Sequence, residues 1–160
     1  MSDGAASNTP APVAPRADAR LAALYQELLL DHYRRPRNKG VLDPADVATT
    51  LKNPLCGDEI ELRLAFEGDR VRDARWTGQG CAVSTASASM MTQLIAGKTA
   101  GEALAARDQV ARMMNGDATA AADPALGDLR ALAGVARLPV RVKCAMLPWA
   151  ALARALAGRT

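Results

Sequence analysis

The stretch Asn53-Pro54-Leu55-Cys56-Gly57-Asp58 runs directly into Glu59-Ile60-Glu61-Leu62-Arg63-Leu64-Ala65-Phe66, so a thiol and a carboxylate stand at the head of an alternating run. Ile60, Leu62, Leu64 and Phe66 alternate with Glu59, Glu61, Arg63 and Ala65, the period of a half-buried strand. Pro54 fixes its own φ and biases Asn53 toward extended geometry, while Gly57 admits a φ that other residues resist. Cys56 and Asp58 can therefore turn toward one point. A thiolate and a carboxylate that converge repel each other unless a cation sits between them. The chain holds only two further cysteines, Cys81 and Cys144, to complete a shell. Three sulfurs and one oxygen suit a tetrahedral zinc ion. The pattern is not a zinc-finger spacing, and three small buried hydrophobes is the competing reading of these cysteines.

Downstream of the strand, Gly68-Asp69 reads as a two-residue hairpin turn. The returning strand, from Arg70 to about Thr77, puts Val71 on one parity and Ala74 and Trp76 on the other, which suggests a bulge. Gly78-Gln79-Gly80-Cys81 then leads from strand to helix, and residues 82–96 carry small side chains nearly all round, as a central helix needs. Gly97-Lys98 stops it. Cys81 thus falls at a helix N-terminus, where free N–H groups favour an anion. A helix is expected over residues 99–114, a loop over 117–124 and a short helix over 126–132. A short apolar, strand-like approach over 135–142 then delivers Cys144 to a final helix over 145–157, with Pro148 in its first turn.

Upstream, Leu21, Leu24, Tyr25, Leu28, Leu29 and Tyr33 recur at helical intervals, with Asp18 as a cap and an end before Pro36. Residues 1–17, rich in Ala, Pro, Ser and Thr, are expected to be a disordered tail, leaving residues 18–160 as the one domain. The basic segment of residues 31–40 reads as a solvated helix terminus or as a docking surface for an acidic partner, and His32, the single histidine, as a packed or capping side chain and not a metal ligand. Residues 43–52 are expected to be a loop. No glycine-rich phosphate loop and no Ser/His/Asp arrangement is evident.

At 160 residues and 49% hydrophobic, the chain suffices for one core. Aromatics supply only 3% of residues, so Leu, Val, Ile, Met and Ala must build it, and helices should outweigh strands. The net charge of +3 is spread among acids without aromatic interleaving, which argues against a nucleic-acid partner. Three cysteines, an odd number, without a signal peptide argue against a disulfide framework and for a reducing cytoplasm. The most apolar run, residues 81–96, is interrupted by serines and threonines, so no membrane span is expected.

The motifs Asp31-His32-Tyr33 to Pro36-Arg37-Asn38-Lys39-Gly40, Asn53-Pro54-Leu55-Cys56-Gly57-Asp58, Gly78-Gln79-Gly80-Cys81 into Ala86-Ser87-Ala88-Ser89-Met90-Met91-Thr92, Gly127-Asp128-Leu129 and Arg141-Val142-Lys143-Cys144-Ala145 together resemble the SufU/IscU/NifU-type iron–sulfur cluster assembly proteins. The similarity spans residues 21–156. Lys143, where IscU-type scaffolds carry histidine, and the long interval from Cys81 to Cys144 favour the SufU branch. The resemblance implies an α+β fold, a small antiparallel sheet packed against helices, with zinc held by Cys56, Asp58, Cys81 and Cys144. It also implies a sulfurtransferase working with a SufS-type cysteine desulfurase and downstream cluster-assembly proteins. Cys56 would then accept the sulfur, with Cys144 as the IscU-like alternative. Arg141, matching an arginine of SufU-like proteins, would support the site, and Arg141 and Lys143 are the cations nearest in sequence to its negative charge. A [2Fe–2S] scaffold on the same four ligands and a purely structural zinc module are the other readings.

Overall fold

The computed structural model of the chain describes residues 13–55 and 57–159, with side chains from residue 19 onward. Its frame is a three-stranded antiparallel sheet of β1 (Val47–Asn53), β2 (Asp58–Glu67) and β3 (Arg70–Gln79), in that order. Helices α1 (Val13–Arg34), α2 (Ala82–Ile95), α3 (Ala100–Met114), the short α4 (Ala118–Ala122) and α5 (Pro139–Ala155) gather with it around one core. This is the expected α+β architecture.

β2 follows its alternation through Leu64, with Ile60, Leu62 and Leu64 buried and Glu59, Glu61 and Arg63 half-buried. Ala65, expected outward, is buried and Phe66, expected inward, is only half-buried, because the pairing with β3 shifts between them. On β3 the pairing jumps from Ala65↔Asp73 to Phe66↔Val71, so Arg72 is the extra residue of a bulge. Only that insertion lets Val71 share the buried face with Ala74 and Trp76. Gly78 sits where β3 crosses close to β2: a Cβ there would overlap the Glu59 carbonyl.

α2 is the central helix, and every residue from Ser84 to Thr92 is buried. Small side chains let its neighbours approach closely, and its hydroxyls then need partners. Ser87 Oγ donates to the Ala145 carbonyl at 2.6 Å, tying α2 to α5. Ser89 Oγ accepts the Arg37 N–H at 2.8 Å and lies 2.7 Å from His32 Nδ1, while His32 Nε2 donates to the Asp128 carboxylate at 3.0 Å. A Ser/His/Asp chain is therefore present, contrary to the sequence reading. His32 and Ser89 are both fully buried, so it serves as a tie between α1, α2 and the 3₁₀ segment Pro124–Arg137. The basic segment is packed as well as solvated: Arg35 and Arg37 both pair with Asp31, the Arg37 carbonyl accepts the Trp76 indole N–H, and Lys39 lies over the Trp76 ring.

Several expectations are corrected. Residues 47–53 form a strand, not part of a loop, because β2 offers a full antiparallel ladder to them. α1 begins at Val13, ahead of the Asp18 expected to cap it, with Pro15 in the first turn where a missing N–H does little harm. The rest of the expected tail, residues 1–12, lies outside the described residues. α4 interrupts the expected loop because the Asp117 carboxylate caps it at the Thr119 and Ala120 N–H groups. The short helix expected over 126–132 belongs to the longer 3₁₀ run, broken at Gly127, whose φ of 56° suits a glycine. The strand-like approach to Cys144 is helical from Pro139, which occupies the first turn. Pro148 accordingly lies inside α5, and Cys144 lies in its second turn, not at its start.

Replacing Gly78 by Ala forces the β2–β3 crossing apart; we expect a loss of about 1–3 kcal/mol in urea unfolding, comparable to overpacking a core.

Candidate metal centre

Asp58 opens β2 in phase with Ile60, Leu62 and Leu64, so the strand turns its carboxylate inward and leaves it only 2% exposed. Alternation alone carried that signal. A buried carboxylate demands donors, and the first is at hand: the Cys81 backbone N–H, at the N-cap of α2, reaches Asp58 Oδ1 at 3.1 Å. The second oxygen, Oδ2, lies 3.8 Å from Cys81 Sγ. From the other side α5 brings in Cys144, fully buried, its sulfur 3.7 Å from the Val140 carbonyl.

One ligand atom from each of Asp58, Cys81 and Cys144 lies within 4.8 Å of the other two. Neighbouring ligands on a tetrahedral zinc ion stand roughly 3.5–3.8 Å apart, given Zn–S near 2.3 Å and Zn–O near 2.0–2.2 Å. The observed triangle is of that scale, and two cysteines, which bind metal as thiolates, with a carboxylate make a donor set that fits zinc. Gly80 is part of the fit. A Cβ there would overlap Ser84 Oγ and lie 2.8 Å from Asp58 Oδ1, so only glycine allows Asp58, Cys81 and Ser84 to close around it.

Of the four ligands expected from the sequence, the structure brings together these three; Cys56 lies outside the described residues. Its chain neighbours place it: Asn53 and Asp58 pair across β1 and β2, so Cys56 belongs to the connection between those strands. Gly57, with φ of 73°, donates its N–H to the Asn53 carbonyl at 2.9 Å, and Leu55 donates its N–H to Asn53 Oδ1 at 3.1 Å. Leu55 is 73% exposed. Arg141 and Lys143 are exposed in the first turns of α5, without ion pairs among the described residues; no acidic side chain stands in that first turn. Lys143 lines a groove together with Asn53, Leu55, Pro139 and Val140, which carries a cation to the edge of the β1–β2 connection. Sequence reasoning missed Ser84 and the Ser87–Ala145 tie, both hidden in a run of small polar residues.

Comparison with known proteins identifies the family. Residues 24–157 match the model of the NifU-like N-terminal domain. The chain is 45% identical over 141 residues to the zinc-dependent sulfurtransferase SufU of Bacillus subtilis, covering 88% of this chain and 94% of that protein. It is 43% identical over 138 residues to the iron–sulfur cluster assembly scaffold protein IscU of Streptococcus pyogenes, covering 86% of each. The crystal structure of a nitrogen-fixing NifU-like protein (N-terminal) from Brucella abortus superposes with a TM-score of 0.74 at 28% identity, covering 82% of this chain and 91% of that one. The chain belongs to the NifU-like N-terminal domain family, which includes SufU and IscU. Among the described residues no helix is long and apolar enough to cross a membrane.

The burial difference predicts thiol reactivity. In metal-free protein, Cys81 should be alkylated faster than Cys144 by roughly tenfold or more, read peptide by peptide in a mass-spectrometric time course.

Proposed function

We propose that the chain is a zinc-dependent sulfurtransferase of cytoplasmic iron–sulfur cluster assembly, taking sulfur from the persulfide of a SufS-type cysteine desulfurase. Cys56, Asp58, Cys81 and Cys144 would hold the zinc. The observation that carries the reading is the convergence of Asp58, Cys81 and Cys144, from β2, the N-cap of α2 and the second turn of α5, onto one point, two of them buried and Cys81 half-buried. The likeness to the relative named a zinc-dependent sulfurtransferase supports it. Bound zinc, itself without redox chemistry, supplies thiolates that are kept anionic yet exchangeable.

Cys56 is the proposed acceptor. Its thiolate attacks the terminal sulfur of the donor persulfide; the donor's S–S bond breaks, the donor cysteine leaves as thiolate, and Cys56 carries the new persulfide. No net oxidation occurs. Burial weighs against Cys144, which is fully enclosed and closed to a partner's persulfide in this conformation. Leu55, beside Cys56, is open to a partner. Asp58 holds Cys81 through its backbone N–H, and the exposed Arg141 and Lys143 offer positive charge beside a site whose three thiolates and one carboxylate leave a net −2 around Zn²⁺.

A second reading is a scaffold that builds a [2Fe–2S] cluster on the same four residues and passes it to downstream assembly proteins, supported by the relative named an IscU scaffold. Lys143, in the place of the IscU-type histidine, weighs against it. Visible absorption after reconstitution with iron and sulfide, transferable to an apo-protein, would establish it.

The test is sulfur acceptance. Wild-type protein should raise desulfurase turnover severalfold and gain the mass of one sulfur on Cys56. Cys56→Ala should leave turnover at the desulfurase-alone rate; persulfidation of that variant at the normal rate would move the role to Cys144, and unchanged turnover with wild type would leave a structural zinc module. Independently, chelation should lower thermal stability, and zinc at a hundredfold excess over its dissociation constant should restore about 2.7 kcal/mol.

A further inference from the structure

Ser84 stands in the first turn of α2, three residues after Cys81, and is 7% exposed. Its Oγ donates to the Cys81 carbonyl at 3.1 Å and lies 3.8 Å from the Cys81 sulfur. The carbonyl does not depend on it, because the Thr85 N–H already donates there at 3.1 Å as the first rung of the helix. One hydroxyl proton therefore has two acceptors within reach of rotation about the Cβ–Oγ bond, and the bond it makes here is a duplicate. We propose that Ser84 is a positioning residue for the metal centre: when Cys81 binds a metal as thiolate, the Ser84 hydroxyl turns to its sulfur and sets how firmly that sulfur is held.

The physical case is the contrast between acceptors. A neutral carbonyl that already has one donor competes with a charged sulfur, and hydrogen bonds to an ionised acceptor are roughly twice as strong as neutral ones. Ser84 is held in place for that choice. Gly80 lacks the Cβ that would overlap Ser84 Oγ, so the hydroxyl packs against the same glycine that admits the Asp58 carboxylate. Asp58 Oδ1 is engaged by the Cys81 N–H, which orients one ligand from the backbone, while Ser84 orients the other from its side chain. Both ligands thereby take their bearings from the start of α2. Loss of such a supporting hydrogen bond commonly costs 10–100-fold in metal affinity.

This inference rests on the metal reading of Asp58, Cys81 and Cys144, and the experiment separates the two. Full-length wild type, Ser84→Ala and Ser84→Thr are titrated with cobalt(II), and with zinc against a chromophoric chelator; metal-free unfolding midpoints are compared in parallel. With Ser84→Ala we expect zinc affinity to fall roughly tenfold. The sulfur-to-cobalt charge-transfer band should also move to lower energy, because a thiolate stripped of its hydrogen bond gives up an electron more easily. Ser84→Thr, which keeps the hydroxyl, should return the band toward its wild-type position. A band and affinity unchanged in Ser84→Ala would overturn the role of Ser84 and leave the metal centre intact. Wild-type protein that binds neither ion would overturn the metal centre itself, and the role of Ser84 with it.

Discussion

Burial of a single carboxylate governs this molecule. Asp58 is placed inward by the same two-residue period that buries Ile60, Leu62 and Leu64, and removing an unpaired carboxylate from water costs several kcal/mol. The fold must therefore bring something to it. The N-terminus of α2 answers with the Cys81 N–H, and that contact is available only because β3 runs close enough to β2 for Gly78 to graze the Glu59 carbonyl, and because Gly80 leaves room for the carboxylate. Sheet register, the turn out of β3 and the start of α2 are thus fixed by one requirement.

The opposite wall obeys a related constraint. α5 opens without an acidic residue and presents Arg141 and Lys143 near its positive end, an arrangement that helix electrostatics disfavours in isolation. Packing holds the wall in place: the small side chains of α2 admit α5, and the Ser87 hydroxyl fastens it at the Ala145 carbonyl, the residue after Cys144. Cys144 is thereby positioned by tertiary contact and not by a local turn.

That difference explains what could be read from the chain. The strands β2 and β3, the bulge, the helix after Gly80 and the inward turn of Asp58 rest on local period and turn residues, all visible in one dimension, whereas the place of Cys144 beside Asp58 and Cys81 depends on how α5 packs. β1 was not visible, because Thr49, Thr50, Lys52 and Asn53 carry little apolar contrast, and an edge strand takes its definition from the ladder its neighbour offers. The start of α5 was misplaced because either of two prolines could occupy a first turn; Pro139 takes it, and Pro148 is carried inside the helix. The Ser89–His32–Asp128 tie joins residues 57 and 96 positions apart, and no short-range pattern announces it.

The four proposed ligands are unequal in what moving them would break. Asp58 cannot leave without opening the head of β2, Cys81 without unseating the cap of α2, and Cys144 without displacing a helix packed against α2 and the sheet. Cys56 is different in kind, since it belongs to a four-residue connection whose displacement leaves every rung from Asn53↔Asp58 onward intact. Under the proposed function, release of Cys56 would leave the supports of Asp58, Cys81 and Cys144 in β2, α2 and α5 untouched. For a carrier such an arrangement would be an advantage; for a purely structural zinc module it would serve no purpose.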